Sequence, residues 1–383
     1  MRAFPVVAAL ATALPVLSVQ AQSINPDISV IGDIRAFVTE HPDDSRRDEL
    51  QLDLHGAELM LAGYLNPFAR ADVVVAYHDG AFELEEAYAT ILRGLPGRLQ
   101  LKAGRYRLDF GKLNQLHPHT YSFLDTPLVH RELLGEEGLI DIGLNLNTQV
   151  PLGTAALTLS GNVLKGDFAE VHHHDHDHEE EQAAALQRRA AFAVRPAHEG
   201  EEEPEPERGL GYSGRLAVFV PTGDYAGFEA GLNALEGTLD RHTDRTVRLL
   251  GVDLKYRWAP DMYRSLTVQG EWIRSRRDVA HAHGEEGHGT TARVDADGMY
   301  AFVDWRFARR WNCGVVGERS ELAEEEGVRI RRAGVFAGFQ LMEETTLVRL
   351  LVRRTDHDEL RKAYSEGILQ LVFSLGPHRA HWF

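Results

Sequence analysis

Residues 171–181 read Val171-His172-His173-His174-Asp175-His176-Asp177-His178-Glu179-Glu180-Glu181, so imidazoles and carboxylates crowd into a few turns of chain. A second cluster, His281-Ala282-His283-Gly284-Glu285-Glu286-Gly287-His288, repeats the chemistry a hundred residues on. Neutral imidazole is the commonest side-chain ligand for Zn²⁺, Cu²⁺ and Ni²⁺, and carboxylates can complete the shell. His172, His173, His174, Asp175, His176, Asp177, His178, His281, His283 and His288 are therefore candidate metal ligands. A run this dense offers many overlapping sites and no preformed one. Each binding event must order flexible backbone, so each site should be modest in affinity and poor in selectivity. The Irving–Williams order favours Cu²⁺, so a preference for zinc has to come from availability. No cofactor is required by this reading; a loosely held Zn²⁺ or other divalent ion is expected. Imidazole titrates near 6.5, so protonation below about pH 6 should release the metal.

The elements that carry these clusters follow from the rhythm of the chain. Short turns recur at Asn66-Pro67, Leu95-Pro96-Gly97, Pro151-Leu152-Gly153, Pro221-Thr222-Gly223 and Ala259-Pro260. Longer polar segments lie between them, at 40–49, 108–137, 166–208, 236–245 and 277–295. The intervening stretches alternate with period two. In 246–258, Leu250, Val252, Leu254, Tyr256 and Trp258 share one face, while Leu249, Asp253, Lys255 and Arg257 share the other. Residues 139–150, 264–273, 298–307 and 369–374 behave alike. Such alternation marks strands with one apolar face. Charges on the opposite face of segment after segment suit a wet lumen, and aromatics beside the short turns (Tyr64 and Phe68, Trp258 and Tyr263, Phe307 and Trp311) suit an interfacial girdle. The reading is an all-β, transmembrane antiparallel β-barrel of about sixteen strands, an up-and-down meander with no plug domain. In lipid every amide must be paired, so a sheet spans only when closed. Strand 50–64 changes phase near Glu58, which predicts a bulge.

Residues 1–21 carry Arg2, an apolar stretch and Val19-Gln20-Ala21, the pattern of a secretory signal peptide, leaving 22–383 as a single barrel in the outer membrane of a Gram-negative cell. The lone cysteine, Cys313, excludes an internal disulfide framework. The net charge is −17, and residues 170–207 hold twelve acidic residues against Arg188, Arg189 and Arg195. That acidity argues against nucleic-acid partners and reads as a local device. With a periplasmic N-terminus, every long connection falls outside. All of the nineteen histidines except His55, His378 and His381 then lie in exterior connections.

On this barrel size, the signal sequence and the long third exterior loop, the chain resembles Gram-negative outer-membrane porins, most nearly those similar to the phosphate-selective O/P group. The segment from Phe110-Gly111-Lys112-Leu113-Asn114 through Glu136-Glu137-Gly138 looks like a signature of such proteins, and Phe383 resembles the terminal aromatic read by the barrel-assembly machinery. Pro377 departs from that pattern by breaking the last strand early. The resemblance implies that 108–137 folds into the barrel as a constriction loop, with Lys112, His117, His119, Asp125, His130, Glu132, Glu136 and Glu137 as the pore-narrowing residues. Facing wall residues would be Lys255, Arg257, Arg306, Arg349 and Arg353, giving a negative loop opposite a positive wall. Phosphate recognition needs a denser Arg/Lys ladder than this mixed face offers, so phosphate selectivity is not carried over.

The function expected is passive diffusion of small solutes, with the His/acid loops enriching divalent metal at the pore mouth. The partners are outer-membrane lipid and lipopolysaccharide, with a homotrimer as the assembly that such porins often adopt. Three other readings compete. A general or anion porin would carry the histidines incidentally, since bare acidity suffices to bridge lipopolysaccharide through Mg²⁺ or Ca²⁺. A surface-interaction or adhesion barrel would use the exterior loops directly. An enzyme would need an arranged nucleophile and base. Ser122, His117, His119 and Asp125 are close in sequence, but closeness in a loop is not a triad, and no catalytic residue is assigned.

Overall fold

The computed structural model describes residues 26–78, 80–169, 208–281, 290–342, 345–360 and 362–376. Sixteen strands follow one another: β1 Asp27–Thr39, β2 Gln51–Asn66, β3 Ala69–His78, β4 Ala81–Ile91, β5 Gln100–Arg107, β6 Ile140–Leu152, β7 Ala155–Leu164 and β8 Gly211–Pro221 in the first half. β9 Ala226–Asp240, β10 Arg245–Trp258, β11 Ser265–His281, β12 Thr290–Ala308, β13 Trp311–Glu321, β14 Arg329–Met342, β15 Thr346–His357 and β16 Tyr364–Leu375 complete the set. Each pairs antiparallel with its sequence neighbours, and β1 closes on β16 from Val30 opposite Leu375 to Thr39 opposite Glu366. Closure leaves no strand edge, which is what lets a sheet exist in lipid.

The side-chain parity is as the alternation predicts. On β10, Leu250 and Leu254 are about half exposed at 55% and 48%, whereas Leu249 and Asp253 are 1% exposed. Most apolar side chains of this strand thus point out of the barrel, the reverse of a water-soluble protein, while Leu249 points inward. Ascending the outer face toward the long loops, the apolar belt ends at charges. Arg248 pairs with Glu236, Arg274 and Arg276 with Asp295, and Arg319 with Asp297. At the other rim Trp258, Tyr263, Trp305, Phe307 and Trp311 are exposed beside the short turns. About ten residues of β10 separate the two borders; at about 3.3 Å per residue and the tilt of a closed barrel this gives roughly 25 Å, a hydrocarbon thickness.

Two expected loops are shorter than the sequence implies. Segment 236–245 is mostly strand, because β9 and β10 pair as far as Asp240 with Arg245. Segment 277–295 likewise narrows, since β11 and β12 stay paired as far as His281 with Thr290. Polar composition there reflects sheet that has left the apolar belt; strand pairing continues wherever cross-strand partners such as Arg293 and Asp278 support it. The predicted bulge in β2 exists: pairing with β1 slips between Asp33 and Ile34, leaving His55 as the extra residue. A second slip, between Val74 and Val75, makes Glu85 of β4 the extra residue.

Candidate functional site: the loop across the lumen

Segment 108–139 lies inside the barrel and is fastened to strands around its circumference. It contains a single turn of 3-10 helix at Pro118–Thr120 and one short α-helix, α1 Leu128–Leu134, where the sequence shows no periodicity. Its apolar side chains, among them Phe110, Leu113, Phe123, Val129 and Leu133, are buried with the inward-facing Leu249, Tyr300, Phe302, Phe336 and Leu351 of the wall. The wall is therefore not uniformly wet, which corrects the expectation of a polar lumen. Inward apolar residues on β10, β12, β14 and β15 exist to receive this loop. Phe123 is the centre of the contact, with its ring 5.0 Å from Phe302 and 6.1 Å from Tyr300.

Polar anchors surround that core. Glu271 of β11, wholly buried, accepts hydrogen bonds from the backbone N–H of Lys112 (2.7 Å) and Leu113 (2.9 Å) and from the Tyr300 hydroxyl (2.7 Å). Its other oxygen lies 2.9 Å from His130 Nε2. Gly111 adopts φ 68°, and a Cβ there would meet Glu271 Oε2 at 2.2 Å, so only glycine lets the loop settle on this carboxylate. Lys112 Nζ reaches Glu229 of β9 at 2.6 Å. Glu318 of β13 accepts from Leu128 N at 2.7 Å, supplying to α1 the N-terminal acceptor that Pro127 lacks. On the far side Arg349 donates to the carbonyls of Tyr121 and His119, Arg35 to that of Leu124 (3.2 Å), and Arg353 to Asp125 Oδ2 (2.5 Å).

The electrostatics differ from the expected negative loop against a positive wall. That polarity holds at β1 and β15, where Asp125 faces Arg35 and Arg353. Burial pushes the Asp125 carboxyl up, but Arg353 and Arg35 overcome it and hold the group well below the usual carboxylate range. Elsewhere the polarity inverts: Lys112, His117, His119 and His130 of the loop face Glu229, Glu58, Glu85, Glu86 and Glu271 of the wall. Of the five basic wall residues expected, Arg349 and Arg353 hold the loop. Lys255, Arg257 and Arg306 sit nearer the short-turn end, opposite Gln269, Thr267 and Ser265 in register.

The remaining sequence candidates scatter. Glu132 pairs with Arg131 at 3.1 Å, Glu136 is exposed, and the Glu137 carbonyl accepts from Arg107 Nη1 at 2.6 Å. Glu137 is likewise exposed, yet partial desolvation beside the wall and a hydrogen bond to Glu83 push its carboxyl up to about 7. Ser122 donates to Asp304 at 2.8 Å while His119 and Asp125 go to Glu58 and Arg353, so these loop residues form no nucleophile–base pair. His172, His173, His174, Asp175, His176, Asp177, His178, His283 and His288 lie outside the described residues, and His281 ends β11.

His117 and His119 do come together, rings stacked with centroids 5.8 Å apart. Around them gather three wall carboxylates that the sequence reading missed, Glu58, Glu85 and Glu86. The signal was present in Phe82-Glu83-Leu84-Glu85-Glu86: adjacent glutamates cannot both face inward on a regular strand. The bulge at Glu85 turns both into the lumen, where each is buried. His117 Nδ1 lies 3.3 Å from Glu58 Oε2 and 3.1 Å from Glu85 Oε2, and its Nε2 lies 3.3 Å from Glu86 Oε2.

No known family profile matches the chain. A protein of Aquifex aeolicus (strain VF5), described as uncharacterized, is 29% identical over 397 residues, covering 94% of this chain and 80% of that one. Among solved structures, the anion-selective porin from Comamonas acidovorans superposes with a TM-score of 0.56 at 8% identity, over 92% of this chain and 100% of its own. The high-pH structure of Pseudomonas putida OprB gives 0.55 at 8% identity over 92% and 94%. The outer membrane channel DcaP of Acinetobacter baumannii gives 0.52 at 11% over 92% and 97%. At such identities the likeness is one of fold, and the fold is that of the sixteen-strand outer-membrane porins.

Proposed function

We propose that this chain is an outer-membrane channel for passive diffusion of small solutes, and that its exterior His/acid loops concentrate divalent transition metals, zinc foremost, at the channel mouth. The observation that carries the channel is the belt of acidic and basic side chains where segment 108–139 meets the wall. A cylinder closed for mechanical reasons alone gains nothing from burying Glu58, Glu86, Glu271, Arg349 and Arg353 inside it, since buried charge is costly and persists where it serves function. Superposable proteins whose descriptions name an anion-selective porin and an outer membrane channel support the same reading. Metal enrichment rests on the His172–His178 run and on electrostatic accumulation by the acidic tract around it. Outer-membrane placement, export by residues 1–21 and a homotrimeric assembly belong to the same proposal.

Planar bilayers test the channel: purified protein should give discrete conductance steps, and a protein that inserts without conductance overturns the reading. Isothermal titration tests enrichment: replacing His172, His173, His174, His176 and His178 by Ser should remove most Zn²⁺ binding, and unchanged binding sinks that part. The alternative, a general or anion pore with incidental histidines, is favoured by the arginines Arg35, Arg332, Arg349 and Arg353 on the inner wall. It predicts an anion-leaning permeability ratio that Zn²⁺ leaves unmoved.

A further inference from the structure

We propose that Glu58, Glu85 and His117 form a binding site for one divalent transition-metal ion where the inner loop meets β2 and β4. It deepens the channel reading, on which its place in a solute path rests, and it is separate from the exterior histidine loops.

The first support is geometry. One ligand atom from each residue lies within 4.8 Å of the other two. His117 Nδ1 stands 3.3 Å from Glu58 Oε2 and 3.1 Å from Glu85 Oε2. Bonds of about 2.0–2.1 Å to a tetrahedral ion put neighbouring ligand atoms about 3.3–3.4 Å apart, so these separations need little adjustment.

The second support is the company these atoms keep. Glu58 Oε2, Glu85 Oε2 and His117 Nδ1 are all buried, none has a well-aligned hydrogen bond, and His117 Nδ1 stands 3.1–3.3 Å from both carboxylate oxygens. Twelve buried side-chain atoms among the described residues lack a hydrogen bond, and these three lie against one another in a single cluster.

The third support is what holds them. Each ligand has an outer partner on its other polar atom. Glu58 Oε1 lies 3.0 Å from His119 Nδ1, Glu85 Oε1 accepts from Arg107 Nη2 at 3.3 Å, and His117 Nε2 lies 3.3 Å from Glu86 Oε2. The last is the carboxylate–histidine arrangement that orients a metal-bound imidazole. The bulge makes it available, because one residue of β4 serves as ligand and the next as its orienting partner. Two carboxylates and an imidazole suit Zn²⁺ or Co²⁺. Mg²⁺ and Ca²⁺ favour all-oxygen shells, and the imidazole among these ligands tips the preference toward a transition metal. Three protein ligands leave a fourth position for water or an exchanging ligand, as a transient stop on a path requires.

The test uses the full chain, folded in detergent, in a background where His172, His173, His174, His176, His178, His281, His283 and His288 are Ser. Co²⁺ is the probe, its visible absorption reporting tetrahedral ligation. One equivalent should bind, and Glu85→Gln or His117→Asn should each weaken it tenfold or more. A background protein that binds no Co²⁺, or variants that bind it equally well, overturns the site. Heat-modifiable mobility on gels shows whether each variant has folded. A measurement without variants covers the case where they do not. Diethyl pyrocarbonate modification of His117, read by mass spectrometry, is slowed by Zn²⁺ if the site exists and is indifferent to Zn²⁺ if it does not. Conductance separates the two proposals: Co²⁺ binding without conductance overturns the channel alone, and conductance without Co²⁺ binding overturns the site alone.

Discussion

Asp125 shows how much of the loop's position hangs on single charges. Its carboxylate meets Arg353 at 2.5 Å and Arg35 at 3.7 Å, and Arg353 is held in turn by Glu366 at 2.7 Å. Removing one member of a buried pair costs about 3–5 kcal/mol, because the survivor keeps its charge without its partner. Asp125 retains some solvent contact, so Asp125→Asn should cost less, about 1–3 kcal/mol, and the loss should fall on the loop. The expected outcome is noisier, larger single-channel conductance with the barrel intact. The pH dependence follows from the depressed carboxyl. Its contribution is complete above the unfolded value of about 3.9 and is lost as pH falls through the lower folded value. Wild-type conductance noise should therefore rise only on strong acidification, whereas Asp125→Asn should be noisy throughout. Glu137 works the other way. With its carboxyl pushed up to about 7, the folded loop holds a proton that the unfolded chain releases, so this group favours the folded loop at low pH and opposes it as pH rises toward 7. Cation preference should increase between about pH 6 and 8 as Glu137 ionises, and Glu137→Gln should remove that increment. Equal reversal-potential shifts in both proteins would exclude Glu137 as its source.

At the scale of elements, the inner loop is held by an apolar core as much as by charge. Phe123→Ala removes the ring that Tyr121, Tyr300, Phe302 and Phe336 surround. A buried Phe→Ala costs about 3–5 kcal/mol, here charged to the loop because the strands keep their ladders. Proteolysis of folded protein within 108–139 should accelerate, while heat-modifiable mobility stays as in wild type; an unaltered cleavage rate counts against this core. The strands were legible in the sequence because lipid on one side and lumen on the other impose period two, as at Leu250, Val252 and Leu254. The loop's place was readable only through resemblance. Its apolar residues have no period, and α1, at seven residues, is too short to show one. Its partners Phe302, Phe336 and Leu351 sit on the face that alternation assigns to water. Glu58, Glu85 and Glu86 were missed for a related reason: a bulge breaks the parity on which side-chain direction is read, and at β4 the extra residue is itself one of the three.

For the whole molecule, the belt of outward apolar residues sets both solvent and orientation. Leu254 is half exposed, flanked in register by Ala230 and Gly270, and stands between the Arg248–Glu236 pair at one border and Trp258 at the other. An arginine at such mid-belt depth costs about 2–4 kcal/mol, while near the border the cost falls to about 0–1 kcal/mol. Leu254→Arg should thus lower stability in lipid vesicles by that larger amount, measured by reversible denaturant titration. Leu235→Arg would be a poor control, since Leu235 is buried inside, at 3% exposure. Arg248→Leu is the sound one: it extends the belt past its charged rim and should change stability by less than about 1 kcal/mol. The contrast depends on the surroundings being hydrocarbon. In detergent too short to cover the belt, the Leu254→Arg penalty should shrink. If the two substitutions cost the same in thick bilayers, the charged pairs of β9–β13 do not mark the membrane border. The long connections, with the histidine runs they carry, would then have lost the structural reason for placing them on the far side of it.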